Sequence, residues 1–223
     1  MQHDRRQVNA AVMGGIRVLS FFAFPILWGI SSVAPEFVSV VLGSKWAQST
    51  LPIQILALIM PLRMIGNFVP NAVQGIGRSD VVLGNIMWVA PLMPVAFLIG
   101  VHWGLFGLCM AWLAIAPVAF VGNLHQNARA LGFSLTAALR TIAPAAASAL
   151  TMYAAVAITR HLLPSEISNL ITLPILIISG AITYALAALA FNRRGCLEVL
   201  AFVRELGTVE SLPGNLGVHN DVH

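Results

Sequence analysis

The chain alternates long apolar runs with short polar breaks. Residues 18–34, 51–76, 81–101, 104–121, 141–158 and 170–191 are runs of at least 17 residues, each with at most one charged side chain. A helix rises about 1.5 Å per residue and a bilayer core is about 30 Å thick, so each run is long enough, or nearly so, to cross. The pattern predicts six transmembrane helices. Between them, Met1–Arg17 is a polar, basic lead-in, and Pro35–Gln48 is a short amphipathic connection carrying Glu36, Lys45 and Trp46. His102-Trp103 forms a tight turn, and His125–Arg140 is the longest internal loop, with Ser134 capping a short helix into the fifth span. Arg160–Ser168 is a short loop, and Leu197–Leu206 reads as a surface helix. Ser32-Val33-Ala34 is similar to a signal-peptide cleavage site, but Pro35 follows it and the run is longer than a usual h-region. The first run is therefore expected to remain as a membrane helix.

Composition agrees with this pattern. Hydrophobic residues make up 58% of the chain and charged ones 9%, against about 25% charged in a soluble domain. The expected fold class is all-α: a polytopic membrane helix bundle of about six transmembrane helices. Residues 1–206 form one lobe and residues 207–223 a disordered cytoplasmic tail. The net charge of +4 does not imply nucleic acid, because the basic residues sit at the ends of apolar runs. Arg5, Arg6, Arg17, Arg78, Arg129, Arg140, Arg193, Arg194 and Arg204 fall on the side of both termini, and only Lys45 and Arg160 on the other. The positive-inside rule then makes both ends cytoplasmic.

The chemistry available to the chain is narrow. All eight acidic residues lie outside the six runs, so no carboxylate pair is expected within a cavity. No phosphate-cradling glycine motif is present, the six histidines are scattered over loops and termini, and two cysteines suggest neither a disulfide framework nor a metal site. Neither an enzyme nor a cofactor is expected. Arg63 is the exception, a charge near the middle of a run that also contains Pro61 and Pro70. Asn67, Asn71 and Gln74 follow it at spacings of four, four and three, within an arc of about 80° on a helix. Two roles fit Arg63. It snorkels or bonds carbonyls freed by the prolines and stabilises the kinks, or it lines a watery cavity and attracts an anion, above all a pyrophosphate. The amide stripe suits sugar hydroxyls and equally suits contacts between helices.

The lead-in HDRRQV, the helix FPILWGISSVAPEFVSVVLGSKW and the segment LPIQILAL…PLR…VQGIGRSD carry a resemblance. Pro25, the turn Ala34-Pro35-Glu36-Phe37-Val38, Leu42-Gly43-Ser44-Lys45-Trp46 and Gly77-Arg78-Ser79-Asp80, in that order, resemble the polysaccharide (oligosaccharide) flippases of the MOP exporter superfamily. The lipopolysaccharide and exopolysaccharide biosynthesis branch is the most similar. Members have 12 to 14 spans in two lobes and move undecaprenyl-pyrophosphate-linked glycans across the bacterial inner membrane. The resemblance covers only their C-terminal part. It implies that this chain is one lobe of a transporter, with Arg63, Asn67, Asn71 and Gln74 facing the substrate. It also implies that the partners are a lipid-linked oligosaccharide, membrane lipid and a missing N-terminal lobe. A second reading is a non-transporting membrane scaffold within a glycan-assembly complex.

Overall fold

A computed structural model describes residues 2–164, 167–192 and 195. The surface helix expected at 197–206, the tail at 207–223 and Arg193, Arg194 and Arg204 lie outside the described residues. Those residues form an all-helical bundle: α1 (Gln2–Phe37), α2 (Thr50–Gly75), α3 (Ser79–Val89), α4 (Leu92–Gly100), α5 (Gly104–Leu131), α6 (Leu135–Leu162) and α7 (Asn169–Phe191). Among the described residues five apolar helical stretches are long enough to cross a membrane, and the third, Ser79–Leu131, contains α3, α4 and α5. Large apolar side chains such as Leu83, Met87, Leu98, Ile178 and Leu186 point outwards, as in a protein dissolved in lipid.

Several boundaries differ from the sequence expectation. The lead-in is not separate from the first span, because α1 begins at Gln2. Val8, Val12 and Ile16 recur every four residues among its polar neighbours, and Val12 and Ile16 are buried. At its other end α1 passes through Pro35 to Phe37, so Glu36 belongs to the helix and not to a connection. A π-turn (Val38–Leu42), Gly43 at φ +84° and a 3₁₀ turn (Ser44–Ser49) then lead into α2. The third predicted span is broken at Ala90-Pro91 into α3 and α4. Pro91 and Pro94 leave the carbonyls of Met87 and Ala90 without their helical donors.

The tight turn at His102-Trp103 is present as a 3₁₀ turn, and Gly104 at φ +63° reverses the chain. Beyond it α4 and α5 touch at Gly100 and Gly107, where a Cβ on Gly107 would lie 2.0 Å from the Gly100 carbonyl oxygen. Only glycine permits that approach. The long loop expected at 125–140 does not exist. Helix α5 runs on to Leu131 because Leu124, Asn127, Ala128 and Leu131 recur at helical spacing and are all buried. The link is only Gly132–Ser134, and Ser134 Oγ accepts from the Ala137 N–H at 3.2 Å, capping α6 itself.

Helix α1 lies at the centre, packed on α2, α6 and α7, while α2 continues to α5 and α3, and α4 covers α5. The small residues of α6 serve this packing, since Ala145, Ser148 and Ala149 are fully buried.

Prolines interrupt the hydrogen bonding within helices, and neighbouring helices bond some of the backbone that they release. Pro25 removes the donor to the Phe21 carbonyl, which accepts instead from Tyr184 Oη of α7 at 2.7 Å. Pro70 does the same to Gly66, whose carbonyl accepts from Asn123 Nδ2 of α5 at 3.3 Å. The carbonyls three residues before Pro61 and Pro35 are also taken: Leu58 by Trp28 Nε1 at 3.0 Å, and Ser32 by the Arg160 guanidinium.

Charged groups mark two levels. Arg17 of α1, Arg140 of α6 and Asn192 at the end of α7 line one cavity. Glu36 of α1 and Arg160 of α6 meet at the other end, so α1 and α6 run parallel. The 19 and 20 residues between the levels correspond to about 30 Å, the thickness of a hydrocarbon core.

Candidate functional site

Arg63 lies near the middle of the 26-residue helix α2, roughly 20 Å from either end. Its side chain and Asn67 border a cavity of about 310 Å³ between α2, α3, α4 and α5. Asn85 of α3, Trp112 and Asn123 of α5, and Val89, Ala90 and Met93 around the α3–α4 break complete the wall. The proline break therefore faces the cavity. Lipid tolerates such interruptions only against protein or water.

The guanidinium carbon of Arg63 sits 4.5 Å from the centre of the Trp112 ring, a cation–π contact. Among the described residues Arg63 makes no hydrogen bond and no ion pair. As for the first role the sequence allowed, the carbonyl freed by Pro70 is bonded by Asn123 instead, and Trp28 bonds the Leu58 carbonyl beside Pro61. No carboxylate of the described residues borders the cavity. Among the described residues its polar groups are one cation, three amides and the Trp112 indole, which suit an anion carrying hydroxyls.

Of the four residues singled out from sequence, Arg63 and Asn67 reach the cavity. Asn71 and Gln74 share the exposed face of α2 nearer Gly75 and lie outside its lining. All four are exposed, so none of the described helices covers that face.

Asn85, Trp112 and Asn123 were missed. Asn85 and Trp112 are polar-tipped residues within apolar runs, a signal visible in the sequence. Asn85 is buried and accepts from Trp88 Nε1 at 2.9 Å. Asn123 is backed by the fully buried Asn127, whose Nδ2 donates to the Asn123 carbonyl at 2.8 Å. The Asn127 Oδ1 is buried without a hydrogen-bond partner among the described residues.

An all-helical, lipid-facing bundle with a cationic cavity at mid-depth defines a polytopic membrane protein. Comparison with known sequences gives the biological setting. A sequence model described as "Polysaccharide biosynthesis protein" matches residues 1–51. The chain is 24% identical over 114 residues to an uncharacterised membrane protein in the cps region of Klebsiella pneumoniae, covering 51% of this chain and 24% of that protein. It is also 24% identical over 143 residues to the teichuronic acid biosynthesis protein TuaB of Bacillus subtilis strain 168, covering 63% of this chain and 29% of that protein. These matches support the resemblance to membrane proteins of polysaccharide biosynthesis. The chain spans less than a third of the length of the curated relatives it matches. No solved structure matches it.

Proposed function

We propose that the chain is one lobe of a transporter that flips a polyprenyl-pyrophosphate-linked oligosaccharide across the bacterial inner membrane. It crosses six times, with α3 and α4 together making the third crossing and both termini cytoplasmic. Its role is transport and not catalysis. A second lobe covers the exposed face of α2 that carries Arg63, Asn67, Asn71 and Gln74, and the lobes rock about the site between them.

The observation that carries this reading is the state of Arg63. A guanidinium at mid-depth costs several kcal/mol unless something compensates it. Here it lies over Trp112 beside a cavity to which the described residues bring no carboxylate, and the carbonyl that Pro70 frees has another donor. A pyrophosphate supplies the missing counter-charge in a two-pronged geometry, and the amides of Asn67, Asn85 and Asn123 suit the hydroxyls of the first sugar.

Export of glycan, normalised to inserted protein in the assembled transporter, tests the proposal. Arg63→Ala is expected to lower it by about tenfold or more, the loss of one charge-assisted hydrogen-bond set. Arg63→Lys keeps the charge but loses the fork and should retain part of the activity. Unchanged normalised export in Arg63→Ala would overturn the binding role.

A further inference from the structure

Three asparagines reach the wall of the Arg63 cavity, and two of them are held from behind. Asn85 of α3 accepts through Oδ1 from Trp88 Nε1 at 2.9 Å. An indole N–H only donates, so the amide must turn its oxygen towards the tryptophan. The indole in turn is seated on Gly122 of α5, where a Cβ would displace it. Asn85 is more than nine-tenths buried, and its Nδ2 has no partner among the described residues. Unlike the Asn127 oxygen, that nitrogen is not sealed inside the bundle, and the cavity is the open space beside it.

The same logic fixes Asn123 of α5. Its Nδ2 donates to the Gly66 carbonyl at 3.3 Å, and a carbonyl only accepts. Its Oδ1 is therefore turned to Asn127, whose Nδ2 donates both to it and to the Asn123 backbone carbonyl. Neither amide can exchange its donor for an acceptor without stranding the group behind it. What the two have left to give is N–H. A hydroxyl both gives and takes a hydrogen bond, and an amide free to turn serves it either way. A phosphate oxygen only takes, so fixed donors beside a guanidinium favour the oxyanion. Asn67, exposed and without a hydrogen bond among the described residues, keeps both options.

We propose that Trp88 and Asn127 are positioning residues that lock Asn85 and Asn123 as donors, so that both amides bind phosphate oxygens of the guest beside Arg63. This narrows the role of two of the three amides and leaves Asn67 for a sugar hydroxyl. It rests on the reading of Arg63 as an anion site. Trp88 and Asn127 touch no substrate and act only through the amides in front of them.

Equilibrium dialysis of inorganic pyrophosphate, and separately of maltose, against the purified full chain in detergent tests this. Asn85→Leu removes the donor at nearly constant volume and should raise the pyrophosphate dissociation constant about tenfold. Trp88→Phe keeps a ring on Gly122 but deletes the N–H that holds Asn85. Donation to the anion would then leave Oδ1 buried and unpaired, so the constant should rise several-fold. In an Asn85→Leu background the same Trp88→Phe change should have almost no effect, because no amide is left to orient. Equal effects of Trp88→Phe in both backgrounds would show that the ring only packs α3 on α5, and would overturn the positioning role. Equal losses of maltose and pyrophosphate binding in Asn85→Leu would assign the amide to hydroxyls and overturn it too. The reading beneath it fails separately. Loss of pyrophosphate in Arg63→Ala with no change in Asn85→Leu or Trp88→Phe would end the positioning role alone. Binding that survives Arg63→Ala, or no binding by the unsubstituted chain, would end the anion site and the positioning role with it.

Discussion

Arg160 of α6 holds Glu36 of α1 with both prongs of its guanidinium, Nε to Oε1 at 2.7 Å and Nη2 to Oε2 at 2.8 Å. The same guanidinium donates to the Ser32 carbonyl, one turn before Pro35. One side chain thus neutralises a buried carboxylate and ties α6 to the backbone of α1. The Glu36 side chain is 8% exposed and that of Arg160 33%, so removing the arginine strands the acid in the packed end of the bundle.

Arg160→Ala is therefore expected to destabilise the protein by about 3 kcal/mol, the lower end for breaking a buried pair because the arginine is one-third exposed. Replacing both partners, Glu36→Gln with Arg160→Ala, should cost less than Arg160→Ala alone, since no buried charge is left behind. Thermal unfolding midpoints of detergent-solubilised variants test this. Equal midpoints for the single and double variants would mean that the carboxylate does not depend on Arg160.

The proline kinks lead to a second test. Tyr184→Phe deletes the donor to the Phe21 carbonyl and should cost about 1 kcal/mol, the worth of a neutral hydrogen bond. Pro25→Ala restores a backbone N–H four residues after Phe21, so in that background the same Tyr184→Phe change should cost much less. A double-mutant cycle measured by thermal unfolding reads the coupling directly. Additive effects would show that Tyr184 stabilises α7 for reasons unrelated to the kink.

What the sequence made legible follows from distance along the chain. Arg63 and Asn67 are four residues apart on one helix, so periodicity alone brought them together. Asn123 acts through Gly66, 57 residues away, and Glu36 meets Arg160 across 124 residues. No local pattern encodes such pairs. Helix ends were obscured for a different reason. Hydropathy marks where a helix lies in lipid, while α1 and α5 continue past the lipid on stripes of Val12–Ile16 and Leu124–Leu131, which polar neighbours dilute. The break at Ala90-Pro91 was visible as two prolines, but its exposure to the cavity was not.

Topology offers a third test. Reporter fusions ending at Trp103 and at Ala130 flank α5 and should report opposite sides, periplasmic and cytoplasmic respectively. The parallel course of α1 and α6, fixed by Arg17 with Arg140 at one level and Glu36 with Arg160 at the other, requires an odd number of crossings between them. Activity on the same side for both fusions would mean that α5 does not cross.

Trp112 gives the last test, and it separates positioning from mere packing at the cavity. The indole face fixes the guanidinium of Arg63 at 4.5 Å, a contact of about 0.5–2 kcal/mol in a partly desolvated site. Without it the arginine swings among rotamers, and binding a pyrophosphate then carries the entropy of ordering it. Trp112→Leu should therefore lower normalised export several-fold with Arg63 still present, while Trp112→Phe retains a π face and falls between. In an Arg63→Lys background the same Trp112→Leu change should matter less, because lysine has no planar fork for the ring to orient. Export per inserted protein is the readout, with abundance measured alongside. If Trp112→Leu and Trp112→Phe lower abundance and leave export per molecule untouched, the ring packs α2 against α5 and does not position the arginine.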